Sequence, residues 1–160
     1  MNTELLVRKF CERDINYVMD IYLKSYYYTM PVETWQEISE DKDCYQLVAI
    51  RQGVPVGFAM WRRHRHPTVC ELTHIGVSPS ERGSGAGTAL LDAVAVGAIQ
   101  KHLDKIFIVV PEINCSPGDS DDSSVWLREH GFAAVLPVLK DKFTMYGRKV
   151  DGYRFERALA

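Results

Sequence analysis

The chain has 160 residues, 46% of them hydrophobic and 25% charged, the balance of one ordinary globular domain able to bury a core. A formal net charge of -2 and an isoelectric point near 6.2 give no general attraction to nucleic acid or an anionic membrane, so the charged partner is expected to be small. Cys11, Cys44, Cys70 and Cys115 form no C-x-x-C pair, "MNTELLVRKF" is too short in apolar residues for a leader, and no run approaches the ~18 apolar residues of a membrane span. The expectation is a single domain over residues 1–160, soluble and cytoplasmic, with reduced thiols.

"ELLVRKF" reads as a short strand, and "DINYVMDIYLKSYYY" follows with Ile15, Val18, Met19, Tyr22 and Leu23 at helical spacing behind Asp14 as a cap. "PVETWQEISED" opens on proline, which suits a first helical turn, and predicts a shorter second helix. "YQLVAIRQGVPVGFAMW" is two apolar runs around "RQG", a hairpin with glycine at its turn. "VCELTHIGV" is a further strand, and "GTALLDAVAVGAIQKH" is the strongest helix pattern in the chain. "KIFIVVP" is continuously apolar and β-branched, as a strand buried on both faces would be. "NCSPGDSDDSS" has loop chemistry, "SSVWLREHGF" is a short capped helix ending at Gly131, and "FAAVLPVL" and "DGYRFERAL" close the chain as strands. The order βααβββαβαββ describes an α/β domain without internal repeat or linker.

Residues 82–88, "RGSGAGT", join a strand to a helix N-terminus. The first helical turn leaves N–H groups unpaired and partly positive, and glycines let a phosphate approach them. A Walker-type loop needs lysine after its last glycine, whereas Thr88 follows Gly87 directly. A dinucleotide fold wants the loop after its first strand and an acid about 20 residues later. Asp104 comes before the next strand and Glu112 late in it, which leaves NAD as a weak alternative.

The run Arg82-Gly83-Ser84-Gly85-Ala86-Gly87, preceded by "IGVSP" and followed by "TALL", resembles the coenzyme A loop of the GNAT superfamily of N-acetyltransferases, and the likeness extends along nearly the whole chain. It implies a mixed sheet of about seven strands with four helices, in which the strand carrying Val77 and the strand carrying Ile108 splay apart to admit the thioester of acetyl-CoA. The resemblance assigns the pyrophosphate to main-chain N–H groups of Arg82, Gly83, Ser84, Gly85, Ala86, Gly87 and Thr88. It pairs the pantetheine amides with Ile75, Gly76 and Val77, and brings Asn114 to the cofactor, where a loop asparagine forming its own turn is the competing reading.

The expected nucleophile is a primary amine, which at a lysine-like pKa near 10.4 is protonated at neutral pH, so a base is needed. A half-buried carboxylate, acting directly or through water, meets the need. Glu71 matches the base position of several family members, and counting by twos sets it on the face of Thr73, Ile75 and Val77 unless a bulge intervenes. The competing reading pairs Glu71 with Arg62 or Arg63 across the sheet. By the same count His74 faces the other way, as a core histidine or an alternative base. The family's usual tyrosine acid is replaced by Leu127. Tyr146 and Tyr153 are candidate substitutes, and a thiol leaves tolerably as its anion. A main-chain N–H of Val77 would stabilise the oxyanion.

Tyr26, Tyr27, Tyr28 and Trp35 lie where the resemblance puts the acceptor pocket, and each either touches substrate or packs in the core. "WRRHRH" is a basic hairpin tip, and His64, His66, Cys70 and His74 match no closed zinc spacing, so no metal is expected. Asp119, Asp121 and Asp122 precede the last helix as caps or as contacts for a cationic acceptor. Cys115 lacks the partners of an acyl-enzyme nucleophile. The sequence reading is thus direct acetyl transfer in a ternary complex to a small amine, a protein N-terminus or a lysine, by a monomer or homodimer, without nucleic acid or membrane partners. A non-catalytic acyl-CoA-binding module is the alternative that Leu127 keeps open.

Overall fold

The computed structural model describes residues 4–26, 30–112 and 123–159. Seven strands and four helices follow the expected order: β1 (Leu5–Lys9), α1 (Ile15–Tyr26), α2 (Val32–Glu40), β2 (Cys44–Arg51), β3 (Val54–Arg65), β4 (Thr68–Val77), α3 (Ala86–Gln100), β5 (Lys105–Pro111), α4 (Ser123–Glu129), β6 (Ala133–Met145) and β7 (Arg148–Ala158). They build one mixed sheet in the order β1-β2-β3-β4-β5-β7-β6. Only β4 and β5 run parallel, because the connection between them crosses over through α3.

Local chemistry accounts for most boundaries. The β2–β3 turn places Gln52 and Gly53 at φ 53° and 75°, the paired left-handed geometry of a tight hairpin. Asp14 precedes α1 in a short 3₁₀ turn and accepts the N–H of Cys11 at 2.9 Å. At the end of α4, Gly131 takes φ 86° while Phe132 N–H reaches back to Leu127 O at 2.9 Å, a Schellman closure.

Each face of the sheet is covered by helices. On one face α3 buries Leu90, Leu91, Val94 and Ala98 against Ala59, Trp61, Leu72, Ile106, Ile108 and Phe155, joined by Leu127 and Phe132. On the other, Val18, Ile21 and Tyr22 of α1 and Trp35 of α2 cover Val48, Ile50, Phe58 and Met60. β5 is central, as its continuous apolar run predicts: Ile106, Ile108 and Val110 join the α3 core, while Phe107 lies on the opposite face under the Arg154 guanidinium, 3.8 Å away.

Two strands depart from the sequence expectation. β6 runs on to Met145 rather than stopping near residue 139, with register shifts between Val135 and Leu139 and between Leu139 and Phe143. As an edge strand with an exposed burial pattern it shows no clean alternation, and bulges hide its period. In β4 the register slips because Met60 pairs with His74 and Trp61 with Leu72, so Thr73 is an extra residue.

Candidate functional site

The site lies where β4 and β5 part. Their parallel pairing consists of Cys70 with Ile106 and Glu71 with Phe107; beyond that rung β4 runs on to Val77 and β5 to Pro111 without pairing. The gap opens at the carboxyl ends of two parallel strands, where α/β sheets bind ligands. The open edge of β4 carries main-chain groups. Ser78 N–H turns toward β3, donating to Val56 O at 2.8 Å, so alternation turns Ile75 and Val77 toward the gap. The Tyr26 hydroxyl occupies the first of these positions: it accepts Ile75 N–H at 2.9 Å and donates to Ile75 O at 3.2 Å. Tyr26, one of the four expected acceptor contacts, therefore stands at the gap, on the last residue of α1.

Gly76 is held close from the α1 side. A Cβ there would come within 2.7 Å of both Phe58 Cε1 and Ser25 Oγ, so the close approach of α1 to β4 requires glycine.

The glycine loop follows at once. Pro79–Glu81 make a 3₁₀ turn, Gly85 caps α3 at φ 92°, and no side chain caps the helix. Ser84 N–H donates to Glu81 O at 3.1 Å and Ala89 N–H to Gly85 O at 3.0 Å. Among the described residues, the N–H groups of Gly83, Gly85, Ala86, Gly87 and Thr88 find no such acceptor. Several donors thus converge at a helix N-terminus, a site with the chemistry to hold a diphosphate. The first turn of α3 is braced by α4: Trp126 packs beside Gly87, whose Cβ would lie 3.3 Å from its ring. Thr88 Oγ1 is 2.9 Å from His130 Nε2, and His130 Nδ1 is 2.8 Å from Trp126 O. A carbonyl only accepts, so Nδ1–H donates to Trp126 O. The sequence reading missed both anchors, since nothing local links residue 88 to residue 130.

The extra residue at Thr73 changes the face on which Glu71 lies. Leu72, Ile75 and Val77 pack toward α3, whereas Glu71, His74 and Gly76 face α1 and α2. The count by twos that grouped Glu71 with Ile75 and Val77 is corrected by this bulge. Glu71 sits on the last paired rung before the gap, 28% exposed, with its Oε1 2.8 Å from His64 Nε2. It pairs with neither Arg62 nor Arg63. Arg62 donates to Asp41 Oδ2 at 2.9 Å through both terminal nitrogens, and Arg63 and Arg65 converge on Asp43 Oδ1 at 3.0 Å each. These guanidinium hydrogen bonds hold the Asp43 carboxyl below its ordinary range, Arg65 contributing most. Each arginine of the basic hairpin is therefore paired with a carboxylate ahead of β2, three cations on two anions.

His74 is the next residue of β4 on this face, toward the glycine loop, its ring 5.4 Å from Tyr22 and 5.2 Å from Tyr26. Burial brings its pKa down to about 4, so the imidazole is neutral. Trp35 is 2% exposed and packs on Phe10, Tyr22 and Phe58 within the core under α1 and α2. Leu127, at the position of the family's usual tyrosine, is 1% exposed within the α3 core. Tyr146 occupies the β6–β7 turn at φ 53° and is 77% exposed, while Tyr153 packs against the α3-side core and reaches Glu112 Oε1 at 3.5 Å. Tyr27, Tyr28, Asn114, Cys115, Asp119, Asp121 and Asp122 lie outside the described residues. No described helix is long and apolar enough to cross a membrane.

A mixed seven-stranded sheet parted between two parallel strands, with a glycine-capped helix at the opening, defines the class of acyl-group transferases that the glycine loop resembles. The chain belongs to the acetyltransferase (GNAT) family, whose model matches residues 15–116. No curated protein matches the sequence closely enough to narrow this further. Among solved structures the fold is similar to that of Ard1 from Thermoplasma volcanium, with TM-score 0.81 and 18% identity over 98% of each chain. NAA60 of Arabidopsis thaliana, solved in complex with a bisubstrate analogue, gives TM-score 0.81 and 14% identity over 98% of this chain and 100% of that one. The ribosomal-protein-S18-alanine N-acetyltransferase from Escherichia coli gives 0.78 and 14% over 98% and 95%. At these identities the likeness is one of fold.

Proposed function

We propose that the protein transfers an acetyl group from acetyl-CoA to a primary amine by direct attack, with no covalent enzyme intermediate. The observation that carries this reading is the coincidence, at one end of the sheet, of the gap beyond the Glu71–Phe107 rung with the unpaired N–H groups of Gly83, Gly85, Ala86, Gly87 and Thr88. The loop residues Arg82 to Thr88 suit the diphosphate, and along Ile75, Gly76 and Val77 the main chain of Val77 is turned toward a pantetheine amide, while that of Ile75 becomes available where Tyr26 yields its place. Bound there, acetyl-CoA supplies a thioester carbon as electrophile.

In this reading Glu71 accepts the proton of the incoming ammonium. The freed lone pair forms the N–C bond while the C–S bond breaks and its electron pair leaves on sulfur, and the acylated nitrogen sheds its second proton to the departing thiolate, directly or through water, to give the neutral amide and free thiol. The Val77 N–H, turned toward the gap, donates to the carbonyl oxygen as charge develops there. Tyr26 lines the acceptor side. No acid is assigned to Leu127, buried as it is, and a thiol of pKa near 8.5 departs without one. Tyr146 is accessible for a proton-donating role from the β6–β7 turn. The buried leucine also favours a second reading, an acyl-CoA-binding module without turnover.

Thiol release from acetyl-CoA, followed with a panel of peptide N-termini, lysine peptides and small amines, tests the proposal together with thermal stabilisation by CoA and by NAD. Expected are stabilisation by CoA alone and amine-dependent release that falls at least about 100-fold in Glu71→Gln. Stabilisation without turnover would establish the binding module; no response to CoA would end both readings.

A further inference from the structure

Arg62, Lys105 and Arg154 share the sheet face of the Glu71 carboxylate, and each of them pairs with another carboxylate. The β3–β4 register sets Arg62 directly across from it on the same face. A carboxylate in that position commonly pairs with the arginine, and a permanent guanidinium partner stabilises the charged form at the expense of proton uptake. Here Asp41 and Asp43, just ahead of β2, bind Arg62, Arg63 and Arg65 instead. On the far side Lys105 and Arg154 are both engaged by Glu156, at 2.9 and 2.7 Å. The Tyr22 and His74 pair occupies the neighbouring rung.

What reaches Glu71 is an imidazole. His64 lies two residues beyond Arg62 on β3 and meets the carboxylate diagonally. Its ring is 5.7 Å from that of Phe107, the β5 residue that forms the last rung with Glu71. That contact fixes the ring beside the carboxylate, and Nε2–H donates to Oε1. One oxygen is held by a donor that need carry no charge, and Oε2 is left without a protein hydrogen bond among the described residues.

We propose that His64 is a positioning residue for Glu71: it orients the carboxylate through one oxygen without an arginine's permanent charge, and Asp41 and Asp43 preserve this by drawing the arginines away. The inference rests on the proton-accepting role of Glu71 given above. His64 acts only through that group, which separates it from a residue that merely supports the hairpin.

The test is a double-mutant cycle on the full chain with the best amine found. His64→Leu is expected to lower kcat about tenfold, part of the 10²–10⁴ a positioned base supplies, with CoA affinity by calorimetry unchanged. His64→Gln, whose amide nitrogen falls near the place of Nε2, is expected to recover the rate to within about threefold. In a Glu71→Gln background His64→Leu should cost nothing further. Asp41→Asn, which releases Arg62 toward Glu71, gives an independent arm: a rate loss of similar size, absent in the Glu71→Gln background. Equal losses in both backgrounds, glutamine no better than leucine, or an unaffected rate in His64→Leu would each overturn the proposal. An active wild type with any of these results leaves the acetyl-transfer reading standing; an inactive wild type removes both.

Discussion

Asp14→Asn tests how β1 is tied to the start of α1, the helix that delivers Tyr22 and Tyr26 to β4. The Asp14 side chain is 3% exposed and receives Arg8 through two bonds, at 2.7 and 2.9 Å, besides the Cys11 N–H. The Arg8 hydrogen bonds, outweighing burial, lower its carboxyl pKa from 3.8 to about 2. A difference of that size is worth about 2 kcal/mol of folding free energy at neutral pH. Because the folded pKa is the lower one, the stabilisation is complete above the unfolded value and is lost as pH falls through the folded one. About half remains at pH 3. Asparagine retains an acceptor for Cys11 N–H and removes the charge. Urea unfolding should therefore show the variant less stable by about 2 kcal/mol at pH 7 and by about 1 kcal/mol at pH 3. A gap that stays constant over this range, or that is below about 0.5 kcal/mol at pH 7, would show that Arg8 does not govern the carboxyl as argued.

Ser84→Asp separates the two roles of the glycine loop: a carboxylate ahead of α3 should stabilise the helix by roughly 0.3–1 kcal/mol and lower CoA affinity at least about tenfold. A melting temperature that rises while calorimetric affinity falls is the expected pair of results, and unchanged affinity would count against the loop as the diphosphate site. Leu127→Tyr should lower stability by about 1–3 kcal/mol through overpacking, because the leucine is buried in the α3 core. A variant of unchanged melting temperature and raised kcat would show instead that this side chain reaches the gap.

The features legible in the sequence are those written locally. The order of the elements, the "RQG" hairpin, the glycine closing α4 and the loop opening α3 each follow from a few adjacent residues whose backbone preferences permit little else. The pairing of strands is another matter. Thr73 has no signal that marks it as a bulge, yet that one residue moved Glu71 from the face of Ile75 to the face of His74. The arginines of "WRRHRH" look available in the sequence, and only the approach of the segment between α2 and β2 engages them.

The same division runs through the site. Sequence alone determined that a helix would begin at bare backbone near residue 85, because only glycines and small residues stand there. It marked Glu71 as a carboxylate near that opening and offered Arg62 or Arg63 as its partner, neither of which bonds it. Tertiary structure decided that His64 holds it, that Tyr26 reaches Ile75, and that Trp35 and Leu127 belong to the core. These outcomes depend on contacts between residues far apart in the chain, and register and packing, which no short window encodes, choose among them.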